Sequence, residues 1–267
     1  MFNWLPARIT GGKFILRIDD TDTARSQDAY TDDILRGIDF LGLDYDALYR
    51  QSDRIDVYRA AIDRLILDGN AVMHDDGSVR LSLPDWRRLH RWFDSVVGEV
   101  PIGDDDWDYI KTAVISRTGN MPLYNLASIV DDIDMGVNLV VRGVDHIKNT
   151  AIQQVLMWLL EPDYFIEFAH IGLIHGADGK KMSKRDGDDS FLLSHYVNAG
   201  YRSDAMFNCL LRLGWAPKVD DKTTAILTRD DAMRLFLNDG NLRASSAKFD
   251  LAKLDAWNRK YTARAKA

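Results

Sequence analysis

Cysteine is nearly missing from this 267-residue chain, where Cys209 stands alone. No disulfide can form within the chain, and a Cys-based zinc knuckle is impossible, so no zinc site is expected. Set in Met206-Phe207-Asn208-Cys209-Leu210-Leu211, the thiol reads as a small buried hydrophobe. Apolar runs are short. None approaches the roughly 20 residues of a membrane span, and no charged-then-apolar leader opens the chain. The expectation is a cytoplasmic protein without a membrane partner. Positive charge is in deficit, with 34 Lys and Arg against 41 Asp and Glu and a formal net charge of −7. That balance excludes blanket binding to nucleic acid, so any such contact must come from a local basic patch. His74, His90, His170, His175 and His195 show no paired spacing that suggests a metal site. Internal repeats, low-complexity tracts and long linkers are also missing.

What is present suits a soluble α/β enzyme core. Hydrophobic residues make up 46% and charged residues 28%, which are globular values, and the length allows one large domain or two smaller ones. Strand and helix patterns alternate as in a parallel α/β sheet. Residues 14–18 read as a short apolar strand ending in an acidic turn. Residues 28–41 place Ile34, Leu35, Ile38 and Leu41 at helical spacing. Asp53 is placed to cap a helix through Tyr58, Ile62, Leu65 and Ile66, which Gly69 ends. The pattern breaks over residues 71–120, where 79–83 and 98–102 read as strands. The sheet is expected to resume with strands at 124–130 and 139–142, then a helix at 146–160 and a strand at 168–174. Beyond that the chain turns helical, at 191–199, 205–213 and 249–261.

Residues 179–187 read Gly-Lys-Lys-Met-Ser-Lys-Arg-Asp-Gly. Glycines let backbone approach a ligand closely, and clustered Lys and Arg suit a polyphosphate; a solvated basic loop has the same composition. In open α/β sheets ligands bind beyond the carboxyl ends of the strands. That rule gathers Arg17, Asp19, Asp20 and Asp22 after one strand, Arg142, Asp145 and His146 after another, and the lysine loop after a third. A guanidinium there can hold a carboxylate, and an acidic neighbour an ammonium. The bland readings are capping for Asp20 or Asp22, a surface ion pair for Arg142, and core packing for Tyr124.

Five blocks, in order, resemble the catalytic core of the glutamyl-tRNA synthetases, class I enzymes with a KMSKS or KMSKR loop. Met1-Phe2-Asn3-Trp4-Leu5-Pro6-Ala7-Arg8 is similar to the family's FNWL-x-AR helix end, and residues 12–22 to its GKFILRIEDTD strand. Residues 122–132 resemble PTYNLAxVVDD. Val141-Arg142-Gly143-Val144-Asp145-His146, followed by Asn149, Thr150 and Gln154, is similar to VIRGEDH and its NT-x-x-Q helix. Lys181-Met182-Ser183-Lys184-Arg185 matches the lysine loop.

The resemblance implies a Rossmann-like class I synthetase catalytic domain over residues 1–175. Its abbreviated insertion at about 71–120 would receive the tRNA acceptor end. The KMSKR loop and a helical stem-contact region follow over 176–267. It implies ATP with Mg²⁺, glutamate and tRNA (acceptor end and stem) as substrates and partners. Asp19, Tyr124, Ser128 and Arg142 fall where the family binds glutamate, with Arg142 on the side-chain carboxylate. Asp145 and His146 fall near the adenosine. Lys181, Met182, Ser183, Lys184 and Arg185 fall on ATP, with Lys181 and Lys184 sharing the phosphate charge. Asp131, Asp132 and Asp134 match the structural VVDD turn and are expected to be solvated or to cap.

The departures from the family pattern are as informative. No His-x-Gly-His occurs, and His170-Ile171-Gly172-Leu173 sits on a different strand. Half of the nucleotide cradle would then be missing, adenylation impaired, and a sheet edge exposed in a monomer or weak self-associating species. Asp19 stands for a family Glu, and Val144 for an acidic residue. A fragment with an incorrectly called start codon and a paralogue that abandoned adenylation both fit. Three function classes remain open: a glutamate–tRNA ligase, a noncatalytic relative binding tRNA or protein, and a ligase for a small-molecule acceptor.

Overall fold

The structure is a computed structural model that describes residues 1–21, 28–119, 121–176, 178–182, 192–218 and 226–266. Its elements begin with α1 (Trp4–Thr10), β1 (Ile15–Ile18), α2 (Asp28–Phe40), β2 (Ala47–Arg50) and α3 (Ile55–Leu67). Next come β3 (Ala71–Met73), β4 (Val79–Leu81), β5 (Arg91–Asp94), β6 (Gly98–Pro101), α4 (Asp104–Ile110), β7 (Val114–Arg117) and β8 (Met121–Pro122). The chain continues through α5 (Tyr124–Asp134), β9 (Leu139–Gly143), α6 (Ile147–Leu160), β10 (Glu167–Ile171) and β11 (Ile174–His175). It ends with α7 (Leu193–Asn198), α8 (Ser203–Gly214), α9 (Arg229–Asp239), β12 (Ala247–Lys248) and α10 (Leu251–Lys266). Strand and helix alternate as expected. The described strands nonetheless pair in short sheets instead of one long parallel sheet: β1 with β2, β9 with β10, β11 with β12, β5 with β6, and β3-β4-β7-β8.

Two compact units form, one of Arg17–Ser26 and Tyr49–His170, the other of Met1–Leu16, Gln27–Leu48 and Ile171–Ala267. In the first, Tyr58, Ile62 and Leu65 of α3, Leu126 and Ile129 of α5, and Val155 and Leu156 of α6 share one buried core. Gly69 ends the α3 segment with a left-handed φ of 71°, as its sequence position suggests. Asp53 does not cap α3. It lies in a 3-10 turn, Gln51–Arg54, and the N-cap position is Arg54 without a side-chain bond.

Residues 124–130 are helical, contrary to the strand expected there. Leu126, Ile129, Val130 and Ile133 recur at helical spacing and reach the same core, and that period outweighs the local β-branched content. The β5–β6 hairpin shows the opposite period. Trp92 and Asp94 point inward while Arg91 and Phe93 are exposed, and this alternation carries a carboxylate into the core side of the sheet.

In the second unit, Trp4, Leu5, Leu41, Phe207, Leu211, Trp257 and Tyr261 build the core, with Cys209 buried among them. Thr228 opens α9 with a capping box completed by Asp231. Gly172 donates its backbone N–H to the Arg243 carbonyl at 2.9 Å. A Cβ there would meet the Ser245 carbonyl oxygen at 2.0 Å, so only glycine fits.

Candidate active site

Strand β9 is apolar through Leu139, Val140 and Val141 and then delivers Arg142, a partly buried cation. Its Nε donates to His170 Nε2 at 3.2 Å and its Nη1 to the Tyr124 hydroxyl at 3.3 Å. Nη2 donates to Thr150 Oγ1 at 2.5 Å and to Gln153 Oε1 at 2.6 Å. The guanidinium lies over the Phe168 ring, 5.2 Å from its centroid. Each of these partners is uncharged when His170 is neutral, and no described carboxylate forms an ion pair with Arg142. Burial pulls the Arg142 pKa down from its ordinary value, against the pull of Tyr124 and Asp132. A buried cation held only by neutral acceptors has charge to spare for an anion. The surface ion pair is therefore not what this residue makes.

Local structure explains the convergence. Tyr124 is the first residue of α5, Thr150 and Gln153 lie one turn apart on α6, and Phe168 and His170 share one face of β10 beside β9. Tyr124 Oη also lies 3.4 Å from His146 Nδ1, with ring centroids 5.6 Å apart. Ser128, one turn after Tyr124, is buried and its hydroxyl has no protein partner. Asn149 and Asn125 join α6 to α5 through a 3.0 Å bond. They line a cleft of about 610 Å³ walled by Trp92, Ile102, Tyr109 and Ile147. Asp145 is exposed in the 3-10 turn Val144–His146.

Asp19 binds Arg17 Nε at 3.0 Å, and Arg17 Nη1 reaches Asp132 at 2.6 Å. Burial alone would lower the Arg17 pKa, but Asp132 and Asp19 overcome it and raise it. Asp131 is fully buried and accepts from Arg54 Nε at 2.7 Å, Gln51 Nε2 at 2.9 Å and the Tyr58 hydroxyl at 2.9 Å. Solvated or capping roles are thus wrong for Asp131 and Asp132, because α5 turns both onto cations of neighbouring elements. Asp134 is exposed, as expected, and pairs with Arg54. Asp20 does cap: its carboxylate accepts from the Ser52 backbone N–H at 2.8 Å and hydroxyl at 2.9 Å.

In the other unit, the lysine loop begins as a tight turn. Lys181 bridges His175, Met182 donates its backbone N–H to Ile174 at 3.0 Å, and Gly179 takes a φ of 79°. Ser183, Lys184, Arg185 and Asp22 lie outside the described residues.

Two groups behind Arg142 were not legible: His170, which bonds it, looked isolated, and Asp94, which bonds His170, sits in a hairpin with no motif; its inward alternation with Trp92 was the one available signal. The glutamine that faces the guanidinium is Gln153; the NT-x-x-Q spacing counted from Asn149 and Thr150 falls on it and not on Gln154.

The model of the class I tRNA synthetases (E and Q), catalytic domain, matches residues 1–78 and 73–256. The chain belongs to this family. Among relatives of the E and Q synthetases, the glutamate–tRNA ligase 2 of Neorickettsia sennetsu is 42% identical over 98% of this chain and 61% of its own length. The glutamate–tRNA ligase of Nostoc punctiforme is 34% identical over 98% of this chain and 62% of its own. The chain thus spans about three fifths of the length of these relatives. A crystal structure of the glutamate–tRNA synthetase of Elizabethkingia anophelis matches with a TM-score of 0.80 at 25% identity, over 97% of this chain and 66% of that one. The glutamate tRNA ligase of Elizabethkingia meningosepticum, solved in complex with its amino acid, matches with a TM-score of 0.83 at 24% identity, covering 97% and 65%. The fold is that of the class I synthetase catalytic domain. Among the described residues, no helix is long and apolar enough to cross a membrane.

Proposed function

We propose that this chain carries the amino-acid-activating core of a glutamate–tRNA ligase. The observation that carries the proposal is Arg142, a partly buried guanidinium surrounded by neutral acceptors and lacking a described carboxylate partner. A glutamate side-chain carboxylate supplies the missing charge, and a glutamine amide does not. Tyr124 and Ser128 flank the ligand from α5, and Asp19 receives its ammonium. The relatives' names support the same substrate and a tRNA acceptor.

In this reading the α-carboxylate attacks the α-phosphorus of ATP and pyrophosphate leaves; a ribose hydroxyl of tRNA then attacks the aminoacyl carbonyl and AMP leaves. No covalent nucleophile is needed, because positioning and stabilisation of phosphate charge dominate such transfers. Lys181 and Lys184 take the phosphate role, and Asp145 and His146 the adenosine. Mg²⁺ would enter with the triphosphate, whose phosphate oxygens are its usual ligands in such sites.

The test is thermal shift with glutamate and glutamine. Glutamate stabilises the parent protein more than glutamine does, and Arg142→Ala abolishes the difference. Equal shifts in the parent protein refute the assignment.

A further inference from the structure

His170 and Asp94 are both fully buried, and the activity proposed above uses neither. The His170 Nδ1 atom lies 2.6 Å from Asp94 Oδ2. That carboxylate also accepts backbone N–H groups from Val96 at 2.9 Å, Val97 at 2.8 Å and His170 at 3.1 Å. These donors hold Asp94 charged, pulling its pKa down against the cost of burial. On its other side, His170 Nε2 faces Arg142 Nε at 3.2 Å and Thr150 Oγ1 at 3.0 Å.

We infer that Asp94 and His170 are positioning residues for the Arg142 site. Asp94 fixes the imidazole proton on Nδ1, so that Nε2 offers its lone pair to the guanidinium. The inference rests on reading Arg142 as the receptor of a substrate carboxylate.

Only one protonation state of His170 suits both of its neighbours. An ionised carboxylate can only accept, so the ring nitrogen beside it must carry the proton. Arg142 Nε can only donate, so the nitrogen beside it must be bare. The tautomer with its proton on Nε2 would set two N–H groups against each other and leave Asp94 Oδ2 with the His170 backbone N–H alone. An imidazolium would set a second cation against Arg142 in a buried space. The charged and titratable groups facing His170 are Asp94 from β5, Arg142 from β9 and His146 ahead of α6; the rings of Trp92 and Phe168 pack on it at 5.6 and 6.4 Å. Burial lowers the His170 pKa from 6.5, Asp94 resists, and Arg142 and His146 lower it further. The ring is therefore neutral at physiological pH, and the guanidinium keeps its full charge for the ligand.

The arrangement also gives the β5–β6 hairpin a part in specificity. Asp94 reaches His170 because the strand alternation that buries Trp92 buries it too. Through Asp94 the hairpin orients His170, and through His170 it orients Arg142.

The test combines one spectrum with two substitutions. In the parent protein, ¹⁵N resonances of His170 should show Nδ1 protonated and Nε2 bare at neutral pH. A His170→Gln side chain can still present an oxygen where Nε2 lay, whereas His170→Asn reaches only the Nδ1 position and leaves Arg142 Nε without its acceptor. Loss of a bond to a charged group weakens binding by roughly tenfold or more. His170→Asn should therefore weaken glutamate binding at least that much and leave glutamine binding nearly unchanged, with His170→Gln recovering most of the loss. A proton found on Nε2, or on both nitrogens, overturns the inference, as does an equal loss of glutamate and glutamine binding in His170→Asn. If His170→Asn does not fold, the spectrum of the parent protein decides. A parent protein that binds glutamate no better than glutamine, with the expected tautomer present, refutes the reading of Arg142 instead.

Discussion

Truncating Asp131 to alanine should cost this protein a large share of its stability. The carboxylate is fully buried and takes bonds from Arg54 at 2.7 Å, Gln51 at 2.9 Å and Tyr58 at 2.9 Å, with Arg17 Nε at 3.5 Å. Its removal leaves two guanidiniums, 17% and 15% exposed, with less compensation than their burial requires. Breaking a buried charge pair from one side costs about 3–5 kcal/mol, against a total stability of roughly 5–15 kcal/mol for a typical domain. At about 2–4 °C per kcal/mol for a chain of this size, the melting temperature should fall by roughly 6–20 °C. A solvated aspartate at the same place would change stability by only about 0.5 kcal/mol. Thermal and urea denaturation of Asp131→Ala therefore separate the two pictures cleanly. Arg54→Met in the Asp131→Ala background should cost less than Arg54→Met alone, because the pair is one unit. A fall of less than about 2 °C, or strictly additive effects, would refute the reasoning.

Other consequences follow from particular residues. Gly172→Ala should fold poorly or melt many degrees lower, since its Cβ would meet the Ser245 carbonyl oxygen at 2.0 Å; a normal melting curve would show that the backbone gives way. Cys209 is buried, and burial pushes its thiol up to about 12 from an ordinary 9. Alkylation at pH 8 should be slow in the native protein and fast in urea, as mass spectrometry can follow. The unfolded thiol ionises first, so Cys209 opposes folding between pH 9 and about 12, and Cys209→Ala should flatten that alkaline loss. On the acid side His170 is neutral in the fold with a lowered pKa. Its contribution is present above the unfolded value and declines as pH falls below about 6.5, so His170→Gln should show a shallower decline over that range.

The sequence made the helices and the Arg142 neighbourhood readable because both depend on short-range information. A 3.6-residue period marks α3 and α6, and the run ending at Arg142 marks a strand that delivers a charge. Gly69 was legible as a stop because a left-handed residue suits glycine. Residues 124–130 misled for the reason that short apolar runs do: Leu126, Ile129 and Val130 fit a strand by composition, and only the period extended to Ile133 reveals the helix. The environment of Asp131 was hidden because Arg54 and Tyr58 lie more than seventy residues away in sequence, and a run of aspartates by itself suggests water. Asp94 was hidden for the same reason, as its partner His170 is 76 positions distant. Tyr124, Arg142 and His146, which lie in two separate motif blocks of the sequence, are neighbours in the structure.

The most direct measurement is a crystal structure of this protein with bound glutamate. Both N–H groups of Arg142 Nη2 are engaged by Thr150 and Gln153, while Nη1 is recorded with Tyr124 alone. The account places the glutamate side-chain carboxylate within hydrogen-bond distance of Arg142 Nη1, with the Thr150, Gln153 and His170 contacts kept. Glutamate bound with that carboxylate in solvent, or paired to a different cation while Arg142 stays with its neutral partners, would contradict it.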